Sequence, residues 1–182
     1  MAKIIVNNTM ESPHLISQKT KEILIKAADA SKNQSITINS GIRSPQRQAN
    51  AMYANLVNGN NVSYAAAGRE VIAVYNANKG KSKEEVINLM VEKINLLYLQ
   101  GKRTSLHCVP ETEYKKLNVI DVTKYIPNPR DFCVELLKEP SVTRIITPFQ
   151  PTASSKYPDS DLKSRRISVD ANEPAIHIEI KQ

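Results

Sequence analysis

The order of two hydrophobic periodicities limits the folds that this chain can adopt. Apolar residues at helical spacing fill most of the first hundred positions, with one alternating segment at 35–40. From Gly101 to the C-terminus, short β-branched runs separated by polar loops replace them. Because strands and helices do not alternate as a parallel βαβ sheet requires, this order predicts an α+β fold. We expect one domain over 1–182, opening with a helical segment at 1–33.

Local signals at the ends of the segments predict where each element lies. Serine followed by proline, at Ser12 and at Ser44, is typical of a helix start. Ser82 with Glu85 three positions later is the pattern of a capping box. The predicted helices are 13–31, 45–56, 65–77, 82–100 and 129–137, and the predicted strands are 35–40, 119–122, 143–147 and 175–180. Polar segments at 58–61 and 148–166 are predicted loops, the second of them long and mobile.

The charge and cysteine content narrow the classes of partner. A formal net charge of +7 favours polyanionic partners such as nucleic acid, an anionic membrane or a bacterial wall polymer. No aromatic side chains interleave with the densest basic runs as a base-stacking platform would require, so we do not expect a nucleic-acid partner. No apolar run approaches the length of a membrane span. Cys108 and Cys133 form no C-x-x-C pair, which argues against a disulfide framework.

Three residues have the chemistry of a metal site. His177 is the centre of an alternating strand and is flanked by isoleucines, while Asp121 interrupts an apolar run in which an unpaired carboxylate is costly. His107 lies in a loop-like segment. Two imidazoles and one carboxylate are a common ligand set for catalytic zinc, which leaves a fourth position for water. A hydrogen-bonded structural histidine at 177 and a surface histidine at 107 remain the alternatives.

Further residues could complete such a site. Glu173 precedes His177 by four positions, and Glu179 shares its strand face, so either carboxylate could accept a proton from a metal-bound water. Glu179 could instead orient an imidazole. Arg43 follows the strand at 35–40 and could clamp a carboxylate or carbonyl with its guanidinium fork, although ordinary turn chemistry explains the same pattern. His14 has no partner motif and is expected at the surface.

In this order the segments resemble the zinc D-alanyl-D-alanine peptidase family. That family includes wall carboxypeptidases and phage endolysin endopeptidases, and it shares its fold with the hedgehog signalling domain. Ser40-Gly41-Ile42-Arg43-Ser44-Pro45 resembles its first motif, Ser105-Leu106-His107 its second, and Val119-Ile120-Asp121-Val122 its strand aspartate. Glu173 and His177 resemble the closing base and the closing ligand.

The resemblance implies a fold, a reaction and a role for each residue. The fold would be a small antiparallel sheet backed by helices, in a chain that we expect to be monomeric. The reaction would be hydrolysis of an amide bond in peptidoglycan stem peptides, of D,D or L,D type. An apolar run too short for a signal peptide implies synthesis in the cytoplasm, and action on the wall after release by a phage or delivery as an effector. The implied roles are zinc ligation by His107, Asp121 and His177, base catalysis by Glu173, and substrate binding by Arg43 and Ser105.

The chain departs from the family pattern in its spacing. Thirteen residues separate His107 from Asp121, where the family usually has six. Tyr114 stands at the usual spacing and cannot replace a carboxylate, so Glu111 and Glu113 are alternative ligands. The closing interval is one residue longer than usual, and isoleucine replaces an aromatic residue in the first motif. A non-catalytic binding module that keeps the fold is therefore the alternative to an enzyme.

Overall fold

The computed structural model describes residues 1–60 and 62–182, which form two compact units. The first comprises Met1–Ile42 and Glu111–Gln182, and the second comprises Arg43–Pro110. Each unit has its own apolar core. Asn61, the last residue of the predicted loop at 58–61, lies outside the described residues. The α+β class is confirmed, whereas a single domain over the whole chain stays a prediction.

A six-stranded mixed sheet forms the first unit. Its strands are β1 Lys3–Val6, β2 Ser35–Ser40, β3 Leu117–Val122, β4 Val142–Thr147, β5 Ile167–Val169 and β6 Ile176–Lys181. The spatial order is β1-β2-β3-β6-β4-β5, with parallel pairing at both edges and antiparallel pairing between the four central strands. The expectation of a small antiparallel sheet is therefore wrong. Its error lies at the edges, where β1 and β5 are too short to show a clear period in the sequence.

The apolar side of this sheet carries the core of the first unit. On β6, the isoleucines at 176, 178 and 180 are fully buried, which leaves His177 and Glu179 on the opposite face. Helices α1 Gln18–Ala30 and α6 Pro129–Leu137 contact each other and supply further core residues. Burial of each large apolar side chain in this core stabilises the folded state by roughly 1.5–3 kcal/mol. Because the isoleucines of β6 are buried in the core, His177 and Glu179 must lie on the opposite face of the strand.

Three helices form the second unit. They are α2 Pro45–Val57, α3 Ala66–Ala77 and α4 Lys83–Leu99, and they confirm the predicted helices in this region. The Ser44 hydroxyl accepts from Arg47 N–H at the start of α2, directly after the Arg-bearing turn. At the start of α4, Ser82 and Glu85 form the predicted capping box.

Three predicted segments differ in the structure. The segment at 1–33, expected to be helical, begins with the strand β1. The helix expected over 13–31 is divided into a 3-10 turn at Pro13–Leu15 and α1, because Ser17 rather than Ser12 caps the helix. The predicted loop at 148–166 contains the short helix α7 Asp159–Lys163. Arg166 anchors the end of that segment, since its Nε donates to the Val142 carbonyl at 2.7 Å.

A short helix α5 Glu111–Tyr114 leads into β3 and was not predicted, because four residues show no period. Among the residues that the structure describes, no helix is both long enough and apolar enough to cross a membrane.

Candidate metal centre

Asp121 and His177 form the central pair of the site on neighbouring strands. They are direct register partners on β3 and β6. The His177 Nδ1 and Asp121 Oδ1 atoms lie 3.1 Å apart, and both side chains are largely buried. The antiparallel pairing of two apolar strands therefore brings together two polar residues separated by more than fifty positions in the sequence.

Glu179 faces the other nitrogen of the same imidazole. Its Oε1 lies 3.4 Å from His177 Nε2, and its side chain is only 10% exposed. The shared strand face was predicted from alternation, but Glu179 is buried against the imidazole and is not a surface residue. Both ring nitrogens of His177 therefore face a carboxylate.

The two carboxylates set the charge of the imidazole. Burial by itself lowers the pKa of His177, but hydrogen bonds to Asp121 and Glu179, and their negative charges, outweigh burial and raise this pKa to about 9. The imidazolium form is therefore favoured at pH 7 in this arrangement. Because a metal binds neutral imidazole, a cation at this position has to displace a proton.

His107 lies in the second unit, in the segment that follows α4. It is buried, with 3% of its surface exposed, so the surface position considered from the sequence is wrong. Its N–H donates to the Ser105 hydroxyl at 3.2 Å, and its carbonyl accepts from Arg43 N–H at 2.8 Å. The Arg43 guanidinium contacts the buried amide of Gln48 at 3.3 Å. The structure thus joins the first and second motifs through the backbones of Arg43 and His107.

The structure groups His107, Asp121 and His177 as a set that could hold a metal ion. Each offers one ligand atom, and these atoms all lie within 4.8 Å of one another. It is the one such group found in the described ranges 1–60 and 62–182. Two ligands of a tetrahedral zinc, each bonded at about 2.0–2.1 Å, lie roughly 3.3 Å apart. The 3.1 Å separation within the Asp121–His177 pair is close to that value, so this pair fits the ion.

The alternative ligands lie outside this group. Glu111 is exposed and pairs with Lys115 at 3.6 Å, and Glu113 is half-buried on α5. The thiol of Cys108, which directly follows His107 in the sequence, is also outside this group and is buried among the apolar residues of the second unit. His14 is exposed, as expected.

Tyr114, at the spacing where the family has its aspartate, is a core residue. It is fully buried, and its hydroxyl donates to the Val119 carbonyl at 2.9 Å. A Cβ added at Gly41 would lie 2.9 Å from this hydroxyl oxygen. The close approach explains the glycine of the first motif without any catalytic role for Tyr114.

Glu173 lies in the turn before β6. It is half-buried, and its N–H donates to the Asp170 carbonyl at 3.0 Å. It does not belong to the group of ligand atoms described above.

Arg144 is a charged neighbour of the site that the sequence patterns did not indicate. Its Nη1 lies 3.9 Å from Glu179 Oε1, and 46% of its side chain is exposed. The signal was hidden because the strand alternation is broken immediately before it.

No protein-family model, curated protein or solved structure matches the chain. The resemblance to zinc peptidases therefore rests on the motifs and on the grouping of their residues.

Proposed function

We propose that this chain is a zinc-dependent peptidase that hydrolyses an amide bond in peptidoglycan stem peptides, as a carboxypeptidase or an endopeptidase. The observation that carries the proposal is the grouping of His107, Asp121 and His177 within 4.8 Å. A zinc ion held by these residues would polarise a substrate carbonyl and lower the pKa of a bound water towards 7. The net charge of +7 suits an anionic wall, as a phage lysis enzyme or a delivered effector would need.

Glu173 is the general base of the proposed reaction. It takes a proton from the attacking water and passes it to the nitrogen of the leaving amine. Glu179 is the weaker candidate for this role, because its carboxylate already contacts His177 Nε2. Glu179 instead accepts a hydrogen bond from that nitrogen, which orients the ring towards Asp121.

Arg43 and Ser105 serve the substrate side of the proposed site. The Arg43 fork binds a carboxylate or a carbonyl of the peptide. Ser105 supports His107, because its hydroxyl accepts the His107 backbone N–H. Loss of either residue would weaken substrate binding or ligand placement while leaving Asp121 and His177 paired.

The test combines zinc content with peptidoglycan digestion. Zinc-reconstituted wild type should hold one zinc per chain and release peptide fragments from purified sacculi, detected by mass spectrometry. H177A and H107A should lose both properties, whereas H14A, which removes an exposed histidine, should keep both. A wild-type protein that binds no zinc under these conditions would contradict the proposal.

A non-catalytic binding module is the second candidate. It is favoured by the two carboxylates that face both ring nitrogens of His177, which give the histidine a structural role, and by the thirteen-residue interval after His107. Such a module would sediment with sacculi, bind zinc and release no fragments. Fragment release by wild type that is lost in E173Q would exclude it.

A further inference from the structure

An irregularity in β4 determines which residues of that strand face the metal centre. Val142 pairs with Ile180 of β6 and Arg144 pairs with Glu179, so two β4 residues span one step of the partner strand. Thr143 is the extra residue, and its hydroxyl donates to the Glu179 carbonyl at 3.2 Å. This arrangement is a β-bulge, a feature that is common beside active sites because it redirects a side chain.

The bulge brings Arg144 to the polar side of the sheet. Val142 and Ile145 both lie in the apolar core of the first unit. Regular alternation from Val142 would send Arg144 into that core, where an unpaired guanidinium is strongly disfavoured. With the extra residue in place, Thr143 and Arg144 are both exposed, and Arg144 lies beside Glu179.

The guanidinium of Arg144 is only loosely engaged there. Its contact with Glu179 is 3.9 Å long, well beyond the 2.7–3.2 Å of an N–H···O hydrogen bond. Nearly half of the side chain is exposed, so such an ion pair has little effect on stability. A guanidinium carries five N–H donors in a planar fork that matches a carboxylate. The fork can therefore take an anion without giving up a strong internal bond.

Its position relative to the metal centre follows from contacts within the first unit. Glu179 contacts Arg144 on one side and His177 Nε2, at 3.4 Å, on the other. The next β4 residue on the polar side, Ile146, pairs with His177 itself and carries no charge. Arg144 is thus the one basic residue of β4, and Glu179 lies between it and the proposed ligand His177.

We propose that Arg144 is a substrate-binding residue that receives a carboxylate of the peptide beside the metal centre. The inference rests on the proposed function, which makes the ligand a peptide. That carboxylate is either the C-terminus of the peptide or an acidic side chain, since both offer the same pair of oxygens. The bidentate contact would favour a free carboxylate over the neutral amide by about tenfold or more.

Three peptides test this inference and separate the two sources of the carboxylate. They are N-acetyl-D-alanyl-D-alanine, its C-terminal amide, and a peptide with blocked ends and one internal glutamate. Their dissociation constants are measured by NMR titration of the zinc-loaded protein, for wild-type Arg144 and three variants, each carrying E173Q so that the peptides are not hydrolysed during the titration. R144Q should lose the tenfold preference over the neutral amide for one of the two carboxylates. R144K should keep only part of this preference, because an ammonium group lacks the planar fork of a guanidinium. R165Q removes an exposed arginine of the same unit and should behave as wild type.

The outcomes distinguish this inference from the proposed function. If R144Q, with an unchanged amide spectrum, keeps the full preference, the inference is overturned even in a protein that cleaves sacculi. The same holds if wild type has no preference for either carboxylate. If the preference depends on Arg144 in a protein that cleaves nothing, the binding role stands and the peptidase proposal fails. The amide spectrum of R144K provides a second control for folding.

Discussion

His177 and Asp121 lie directly opposite each other on β6 and β3, with 3.1 Å between Nδ1 and Oδ1. The buried faces of the two strands fix this pairing. A slip of one residue would move Ile120 and Val122 of β3, or the three isoleucines of β6, out of the core. The separation of these two prospective metal ligands is therefore held by the hydrophobic core of the first unit, whether or not the third ligand is in place.

Replacing Asp121 by asparagine should abolish tight zinc binding. The amide keeps the shape of the side chain but removes the anionic ligand and one of the two charges that hold the imidazolium. We expect zinc affinity, measured by competition with a chromophoric chelator, to fall at least about 100-fold. This exceeds the loss of about 10–100-fold that is typical when a residue hydrogen-bonded to a metal ligand is replaced. The pKa of His177, followed by NMR, should fall as well. D159N, an exposed aspartate on α7, should change neither quantity.

The stability of the zinc-free protein should decrease with rising pH because of His177. Its pKa of about 9 in the folded state exceeds the unfolded value of 6.5. The stabilisation that the His177 imidazolium provides is therefore fully present below pH 6.5 and is lost as the pH rises through 9. The free energy of unfolding should decrease by at most about 3 kcal/mol for this reason. Urea denaturation with a chelator, from pH 6 to 10, measures this decrease. The difference between wild type and H177Q isolates it, and a constant difference across the range would contradict the assignment.

Changing Glu173 or Glu179 to glutamine should impair different properties of the protein, hydrolysis in the first case and zinc affinity in the second. E173Q removes the proposed base, so hydrolysis should fall about 10²–10⁴-fold while zinc affinity stays near that of wild type. E179Q removes the charge that faces His177 Nε2, so zinc affinity should fall about 10–100-fold. Zinc titration and fragment release, measured on the same preparations, give both quantities. The reverse pattern would exchange the two roles.

Much of the fold follows from periodicity, and what does not is short. The helices α2 to α4 and the strands β2, β3, β4 and β6 lie close to their predicted positions. The missed elements β1, β5, α5 and α7 have only four, three, four and five residues. Over such lengths a period of 2 cannot be told from 3.6, and pairing with a neighbouring strand decides the structure.

The candidate site was predictable in its members and less so in its contacts. Alternation on β6 was enough to place His177 and Glu179 on one face. The register that sets Asp121 opposite His177 depends on long-range pairing, which a single sequence does not specify. Arg144 could not be assigned to that face, because the bulge at Thr143 reverses the alternation on which such assignments rest.

Substituting alanine for Gly41 should destabilise the first unit through Tyr114. The new Cβ would lie 2.9 Å from the Tyr114 hydroxyl oxygen, and the fully buried ring cannot move aside freely. We expect a loss of about 1–3 kcal/mol in the free energy of unfolding, the usual effect of overpacking, measured by urea denaturation. Y114F alone should lose about 1 kcal/mol, because the Val119 carbonyl loses its donor. In the double variant G41A/Y114F the hydroxyl is absent and the new Cβ does not meet it. The loss of stability measured for the double variant should therefore be smaller than the sum of the losses of the two single variants. Strict additivity would show that the glycine is required for some other reason.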